Sequence, residues 1–290
     1  MSAASQSTVK PLYMTDASLL SHTALVTKLA QSEIKGKKVH IVYLNETIFH
    51  PQGGGQPSDQ GTIDNYKVVS VVKERFGGSV TEFEIQHCFN EPVPFKVGQA
   101  VQLVVNAEPR QLHSRLHSAG HAIAAFVEES FPKVKAVEGH HLPGEARVRF
   151  EGQLPAVKEV EEKLKKSLSD GIKNNMQSKI VFTEKGGREH VIGNFKGMPC
   201  GGTHVNNLAE LGEVNIRGVK IEKQKLTVKY DVSKIEADKK QAKEESSEKI
   251  KKESVDKKVD IKVEKAVEKE NVDQKIDKQA NTAQDVKSDN

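Results

Sequence analysis

Cysteine is scarce in this sequence: Cys88 and Cys200 are the only cysteines among 290 residues, and they stand far apart. Small secreted folds that depend on disulfides are rich in cysteine, so this scarcity excludes a disulfide framework and favours a reducing compartment. Long apolar runs are also lacking, since no stretch approaches the roughly 18 apolar residues of a membrane span. The first residues contain neither an apolar signal region nor an arginine-rich amphipathic segment. We therefore expect a soluble, cytoplasmic protein with no membrane partner.

Apolar residues are few overall, at 36% hydrophobic against 29% charged. The deficit is concentrated in residues 236–290, which are mostly Lys, Glu, Asp, Ser and Gln and contain no aromatic residue. Such a segment cannot bury enough surface to offset the entropy of ordering, so we predict a charged, disordered C-terminal tail. Its valines recur at every fourth position between residues 255 and 267, which leaves a marginal or partner-dependent helix as the alternative.

The remaining sequence divides into two predicted domains that together give an α+β fold. Residues 1–106 form a β-rich, barrel-like N-terminal domain, because from Lys38 onward short alternating runs are separated by polar or glycine-rich breaks. These runs are VHIVYL, KVVSVVKERF, VTEFEIQ and AVQLVV. The net charge of +4 is only weakly indicative of a polyanionic partner.

Residues 107–235 form the second predicted domain, which mixes helices and strands. Apolar residues at helical spacing predict a helix between Glu108 and Phe131, where Pro132 stops it. A strand in ARVRFEG, an amphipathic helix in LPAVKEVEEKLKKSLSDGIKNNM and a strand in KIVFTEK follow. Residues 186–207 are expected to be loop-rich, and strands in EVNIRGVKIEKQKLTVKYDV complete an α+β domain.

Two pairs of residues have the chemistry of metal ligands. His117 and His121 lie four residues apart on the predicted helix, so both imidazoles project from one face and can reach a single ion. Cys200 and His204 flank two glycines that permit tight turning. Separately, the first pair could be an exposed polar stripe and Cys200 a small core residue. Together, one thiolate and three imidazoles suit zinc.

A glycine-rich segment precedes these pairs in the β-rich region. Gly53, Gly54 and Gly55 allow a ligand to approach the backbone closely, and Gln56 and Asp59 add hydrogen-bonding groups suited to a sugar or amide. The alternative is an ordinary turn between strands. The segment is not a phosphate-binding Walker loop, because no Lys-Ser/Thr pair follows the glycines.

Three ordered motifs now carry a resemblance. RLHSAGH, PCGGTHV and the earlier TIFHPQGGGQPSDQG are similar to the editing domain shared by alanyl-tRNA synthetases and free-standing AlaX-type alanyl-tRNA editing proteins, and the first two motifs also have counterparts in the editing domain of threonyl-tRNA synthetase. The resemblance covers about Leu12 to Val232. The sequence departs from the family pattern at His50, where the family usually has Tyr, and residues 137–141, expected at the pocket wall, give no clear match.

The resemblance implies a trans-acting hydrolase that deacylates mischarged tRNA(Ala), with serine as the first candidate for the wrong amino acid and glycine as the second. One Zn²⁺ per chain would be held at the catalytic centre, and the substrate would be bound by the glycine-rich segment and a preceding threonine. The implied catalytic and metal-binding residues are His117, His121, Cys200 and His204; the implied substrate-binding residues are Thr47, Gly53, Gly54, Gly55, Gln56 and Asp59. Thr47 and the polar groups of Glu138 to His141 are the candidate partners of the serine hydroxyl, and Thr47 is the weaker candidate because a threonine at a strand end is usually structural.

Several alternatives stay open from the sequence. Four protein ligands close a tetrahedral zinc site, whereas a catalytic zinc keeps an open position. Three alternatives follow: one protein ligand leaves the zinc, the coordination number increases, or the zinc only orients the substrate. A non-catalytic zinc-containing tRNA-binding module and a purely structural zinc site would use the same four residues. The tail is a possible partner-binding segment, and the sequence does not indicate an oligomeric state.

Removal of residues 236–290 is expected to leave folding and the chemical step intact. The acids of this segment balance its lysines, so it gives tRNA little net attraction, and binding should weaken only slightly. The measurement compares turnover at saturating tRNA between the full chain and the truncated one. A loss of turnover under those conditions would contradict the predicted independence of the tail.

Overall fold

The computed structural model describes residues 9–34, 36–75, 83–184 and 186–233, and within them strands predominate over two α-helices, as an α+β fold requires. The helices are α1 (Ala107–Ser130) and α2 (Val157–Lys173), and two short 3-10 helices span Leu12–Met14 and Leu208–Leu211. The strands are β1 (Lys10–Pro11), β2 (Ser21–Ile34), β3 (Lys37–Leu44), β4 (Glu46–Thr47), β5 (Gly61–Ile63), β6 (Tyr66–Val68), β7 (Ser70–Arg75), β8 (Phe83–Phe89), β9 (Ala100–Val105), β10 (Val134–His140), β11 (Arg147–Gly152), β12 (Ser178–Phe182), β13 (Arg188–Ile192), β14 (Met198–Pro199), β15 (Val214–Glu222) and β16 (Lys225–Val232). None of the helices in these ranges is long and apolar enough to cross a membrane.

The N-terminal strands form a seven-stranded sheet in the order β6-β5-β9-β2-β3-β8-β7. Its 14-residue strand β2 lies at the centre, antiparallel to β3 on one side and to β9 on the other. The sequence did not predict this strand, because the apolar residues of SHTALVTKLAQSEI do not alternate regularly. A register shift in the β2–β3 pairing between Val26 and Lys28 accounts for the broken alternation.

The two edges of this sheet come together at one corner. Strands β6 and β7 stand at opposite ends of the strand order, yet only Val69 separates them along the chain, so the sheet must curve strongly. A closed barrel would need the two edge strands to pair along their length. The barrel-like domain therefore stays a prediction. Inside the curve lies an apolar cluster that includes Val42, Phe49 and Leu103.

Helix α1 is buried along most of its length, which is unusual for a helix that carries three histidines and two arginines. Its central Gly120 makes room for neighbouring side chains, since a Cβ at this position would lie 2.3 Å from His141 Cε1 and 2.6 Å from the Tyr230 hydroxyl. Helix α2 is amphipathic and buries Val160, Leu164 and Leu168. Both helices match the regions in which the sequence predicted them.

A four-stranded antiparallel sheet in the order β10-β11-β16-β15 packs with the helices around a second apolar cluster, which includes Ile123, Phe150 and Leu164. A separate three-stranded sheet contains β12, β13 and β14. The prediction that residues 186–207 are loop-rich was therefore wrong in part, because β13 and β14 lie within them. The sequence also missed β10, which precedes the turn in HHLPGE.

The two apolar clusters fall within residues 9–105 and 112–232. The predicted domain boundaries at residues 106 and 235 are consistent with this division and stay predictions. The predicted disorder of residues 236–290 concerns a segment outside the described residues.

A buried ion pair connects the N-terminal strands to α1. The guanidinium of Arg110 donates from Nε to Asp59 Oδ1 at 2.9 Å and pairs with Asp59 Oδ2 through a second nitrogen. It also donates to the carbonyls of Ala17, at 2.8 Å, and Ile48, at 2.5 Å. Asp59 in turn accepts from the backbone N–H of His50. Each side chain is at most 2% exposed, so neither charge has water to replace its partner.

Arg110→Met is expected to destabilise the protein by about 3–5 kcal/mol, because it leaves the Asp59 carboxylate buried without its counter-charge. Denaturant unfolding followed by circular dichroism measures the loss. Adding Asp59→Leu to the same chain should recover part of it. Lys166→Met, which breaks an exposed pair with Asp170, serves as the matched control and should change little. If Arg110→Met lowered the free energy of unfolding as little as Lys166→Met does, the role assigned to the buried pair would be contradicted.

Candidate metal centre

Four potential metal ligands converge at one place although they come from two distant segments. Helix α1 presents His117 and His121 one turn apart, and the loop after β14 supplies Cys200 and His204. One ligand atom from each residue lies within 4.8 Å of the corresponding atoms of the other three. This group could hold a metal ion.

Cys200 occupies the middle of the group. Its Sγ lies 3.1 Å from His204 Nε2 and 3.4 Å from His117 Nε2. The backbone N–H of Gly202 also points to this sulfur, at 3.4 Å. The loop is held by Arg188, which donates to the Cys200 carbonyl at 2.6 Å and to the Met14 carbonyl at 2.9 Å. The backbone of Cys200 is therefore tied through Arg188 of β13 to the N-terminal segment.

Two of the imidazoles are oriented by side chains behind them. His117 Nδ1 lies 2.7 Å from Gln56 Oε1, and His204 Nδ1 lies 3.1 Å from Ser118 Oγ. Each of these rings therefore turns its Nε2 toward Cys200. Metal-binding histidines in proteins usually have such a partner on the nitrogen that does not bind the ion. His121 has an unsatisfied atom instead, since its Nδ1 is buried without a hydrogen-bond partner among the residues described.

Burial sets the protonation of the group. It lowers the pKa of His121 to about 4, and it holds the pKa values of His117 and His204 well below the ordinary value, with further lowering from the neighbouring histidines. The three imidazoles are therefore neutral and have lone pairs to offer. Burial also raises the pKa of the Cys200 thiol, although Arg188 and the Gly202 N–H oppose this. A bound cation would favour the thiolate instead.

A cavity of about 320 Å³ opens onto the group. His117, His121 and Cys200 line it, whereas His204 is buried behind them. The rest of the wall is small or apolar, apart from Glu138 and His141: Gly54, Gly120, Ala124, Ala136, Val137, Gly139, Val148, Met198 and Pro199 complete the lining. A ligand that entered the cavity would meet the three candidate metal ligands directly.

The glycine-rich segment forms one side of this cavity. Gly54 lines it, with a φ of +57° that disfavours other residues. Gly55 packs against β10: its carbonyl accepts from the His141 N–H at 2.8 Å, and a Cβ on it would lie 2.3 Å from the Gly139 carbonyl oxygen. Gly53 is exposed at the start of the turn and hydrogen bonds with the backbone of Gln56.

Three predicted substrate-binding side chains are engaged elsewhere. The Thr47 hydroxyl lies 2.8 Å from His87 Nε2 inside the N-terminal sheet. Gln56 hydrogen bonds to His117 and Thr203, and Asp59 pairs with Arg110. None of the three belongs to the lining of the cavity that the structure describes. Their contact with substrate stays a prediction, and the structure gives each side chain a different role.

His50, which stands where the resembled family usually has Tyr, also lies away from the cavity wall. His50 is 2% exposed, packs edge-on against Tyr13 and donates a long hydrogen bond from Nδ1 to the Pro57 carbonyl at 3.3 Å. The histidine at this position therefore does not belong to the lining of the cavity that the structure describes.

Two further histidines surround the group, and the sequence did not indicate that either lies against the candidate ligands. His141 stacks on His117 with ring centroids 4.4 Å apart, and its Nδ1 lies 2.6 Å from the Tyr230 hydroxyl. His190 stacks on His204 at 3.6 Å. The sequence signal for His141 was only its place in the segment 137–141, which was expected at the pocket wall to read the amino acid side chain. The sequence offered no signal of this kind elsewhere. It gave none for His190, which lies in a strand read as loop.

The chain is similar in sequence to several known proteins. Alanyl-tRNA editing protein AlaX-M of Pyrococcus horikoshii is 30% identical over 192 residues, which cover 63% of this chain and 83% of the relative. The AlaX-M protein of Methanosarcina acetivorans is 27% identical over 246 residues, covering 73% of this chain and 91% of the relative. Alanine–tRNA ligase of Streptomyces avermitilis is 29% identical over 220 residues, which are 63% of this chain but only 23% of that protein.

No protein-family model matches the chain. The similarity to whole proteins is nevertheless extensive, since it runs through most of two AlaX-M relatives rather than a single short motif. With 30% identity along 83% of the Pyrococcus protein, this chain belongs to the AlaX family of alanyl-tRNA editing proteins.

Proposed function

We propose that this chain deacylates tRNA(Ala) that carries a wrong amino acid, acting in trans. Its relatives are named alanyl-tRNA editing proteins, and membership of their family makes it an aminoacyl-tRNA deacylase. The observation that carries the proposal is the convergence of four potential metal ligands on a cavity of about 320 Å³. Two cysteines without a disulfide are compatible with a cytoplasmic place of action.

The ion that fits this group best is zinc. One sulfur and three imidazole nitrogens form a donor set that suits zinc. Magnesium and calcium instead take oxygen ligands. The fit rests on the geometry of His117, His121, Cys200 and His204 and on the neutral state of the three imidazoles. When bound, zinc supplies Lewis-acid chemistry suited to an ester carbonyl or to a water beside it.

The chain's own residues would position the ester. Gly54 lets the substrate approach the backbone closely, and the small and apolar residues of β10 and the adjacent loop limit the water around the reacting carbonyl. An aminoacyl ester is already activated, so orientation beside a polarising group is sufficient for useful hydrolysis.

A small amino acid fits the cavity, and serine and glycine are the proposed substrates. Shape alone cannot exclude alanine, which is smaller than serine, so discrimination requires a hydrogen bond to the serine hydroxyl that is left unsatisfied when alanine enters. Glu138 and His141 are the polar side chains of the lining that do not belong to the metal group. They are better placed for this role than Thr47, whose hydroxyl is occupied by His87.

A structural zinc site and a non-catalytic tRNA-binding module are the competing functions. A structural site is normally closed off from ligands. Here three of the four candidate ligands line a cavity, which favours a role at the substrate.

Cys200→Ala separates these functions. It is expected to leave a folded protein whose hydrolysis of Ser-tRNA(Ala) falls at least about a hundredfold, since one ligand of the metal group is lost. Zinc content by elemental analysis should fall from about one per chain. The matched control is Cys88→Ala, which removes the other cysteine, buried in the N-terminal sheet, and should retain both zinc and activity. An unfolded Cys200→Ala chain would instead support the structural site.

Substrate identity is tested by charging tRNA(Ala) with serine, glycine or alanine and measuring release of the amino acid. Serine and glycine should be released faster than alanine, by about tenfold or more for serine if one buried hydrogen bond distinguishes them. Serine on its own tRNA is the control for recognition of the tRNA and should be released slowly. Failure to release any of the three amino acids from tRNA(Ala) would refute the proposed activity.

A further inference from the structure

Gln56 connects the N-terminal glycine-rich segment to the metal group without lining the cavity. Gln56 is 1% exposed, and its side chain makes three hydrogen bonds. Its Nε2 donates to Thr203 Oγ1 at 2.8 Å, its Oε1 accepts from the Thr203 backbone N–H at 3.0 Å, and the same Oε1 lies 2.7 Å from His117 Nδ1. A side chain predicted to bind substrate thus contacts protein groups through both its amide oxygen and its amide nitrogen.

These contacts determine which way the amide points. A backbone N–H can only donate, so the Gln56 atom that faces the Thr203 N–H must be the oxygen. That oxygen cannot donate, so the hydrogen in its contact with His117 must be on Nδ1 of the imidazole. A neutral imidazole carries one N–H, which leaves His117 Nε2 unprotonated. This is the nitrogen that faces Cys200 Sγ at 3.4 Å.

The packing around the Gln56–His117 contact leaves no room for a side chain at residue 202. A Cβ on Gly202 would lie 2.2 Å from His117 Cε1, 2.3 Å from His117 Nδ1 and 2.7 Å from Gln56 Oε1. Thr203 is held in turn by Ser114 of α1, with 2.7 Å between the two hydroxyl oxygens. The glycine-rich segment, α1 and the Cys200 loop therefore meet at this one amide.

His204 differs from His117 in this respect. Its Nδ1 partner is Ser118, which belongs to α1 and lies one residue from His117. Only His117, of the two ligands with a hydrogen-bonded Nδ1, takes its partner from the N-terminal part of the chain.

We propose that Gln56 is a positioning residue of the metal centre: it fixes the tautomer and direction of His117, so that the glycine-rich segment controls metal affinity. The inference rests on the zinc site of the proposed function. Hydrogen-bond partners of metal-binding histidines typically change metal affinity 10- to 100-fold when removed.

The test measures zinc affinity of the full-length, metal-stripped chain by competition with a chromophoric chelator. Gln56→Leu keeps the approximate size and removes the acceptor, so zinc should bind about 10- to 100-fold more weakly. Gln56→Glu keeps an acceptor for the His117 and Thr203 donors and should bind zinc at least as tightly as the unchanged protein. Gln52→Leu, at an exposed glutamine of the same segment, is the matched control and should not change affinity.

Metal-free unfolding midpoints of the same variants separate positioning from general stabilisation. A merely structural role predicts that zinc affinity follows those midpoints, whereas the proposal predicts that affinity follows the presence of an acceptor at residue 56. Gly202→Ala offers an independent route, because its Cβ displaces the Gln56–His117 pair without altering either residue, and it too should weaken zinc binding.

The outcomes are distinguishable. Tight zinc binding by both the unchanged protein and Gln56→Leu would overturn this inference and leave the proposed function standing. Absence of zinc binding by the unchanged protein would overturn the proposed zinc dependence and the inference with it.

Discussion

The close approach of four neutral, electron-donating side chains is the constraint on which the site depends. Cys200 lies 83 residues after His117 in the chain, yet the sulfur and the imidazole nitrogen are 3.4 Å apart. Lone pairs that converge in a buried place repel one another and have lost their water, so the surrounding fold must hold them together when no cation does. The hydrogen bonds of Gln56, Ser118 and Arg188 keep three of these four residues in place.

The need to hold the four ligands together explains why the N-terminal segments are closely connected to α1 and to the Cys200 loop. Arg110 ties α1 to the N-terminal strands through Asp59 and two carbonyls, and Arg188 ties the Cys200 loop to the carbonyl of Met14. Both guanidiniums carry several donors in a rigid plane, which lets one side chain satisfy groups from different segments. Helix α1 is thereby fixed on its N-terminal side by a buried charge and along its centre by the metal group. These connections bury the polar residues of its N-terminal half, whereas Ile123, Phe126 and Val127 of its C-terminal half pack into the second apolar cluster.

Part of this arrangement could be read from the sequence. The helical spacing of His117 and His121 and the glycines between Cys200 and His204 were sufficient to identify the four candidate ligands, because local spacing determines which side chains share a face or a turn. The central strand β2 was not predicted, since its register shift breaks the alternation on which strand prediction relies. The partners of Gln56 and Asp59 were also hidden: Thr203 and Arg110 lie far away in the chain, and a polar residue beside three glycines looks the same whether it faces substrate or protein.

The contact between Gly55 and Gly139 makes the cavity wall asymmetric. On the glycine-rich side, backbone touches backbone, and a methyl group would already collide with the Gly139 carbonyl. Elsewhere the wall consists of side chains such as Ala136, Val137 and Val148, which can change in size without moving the main chain. Substitutions at these positions of β10 and β11 can therefore alter the volume of the cavity. The glycine contact has no such freedom, because any side chain at residue 55 would force two backbone segments apart.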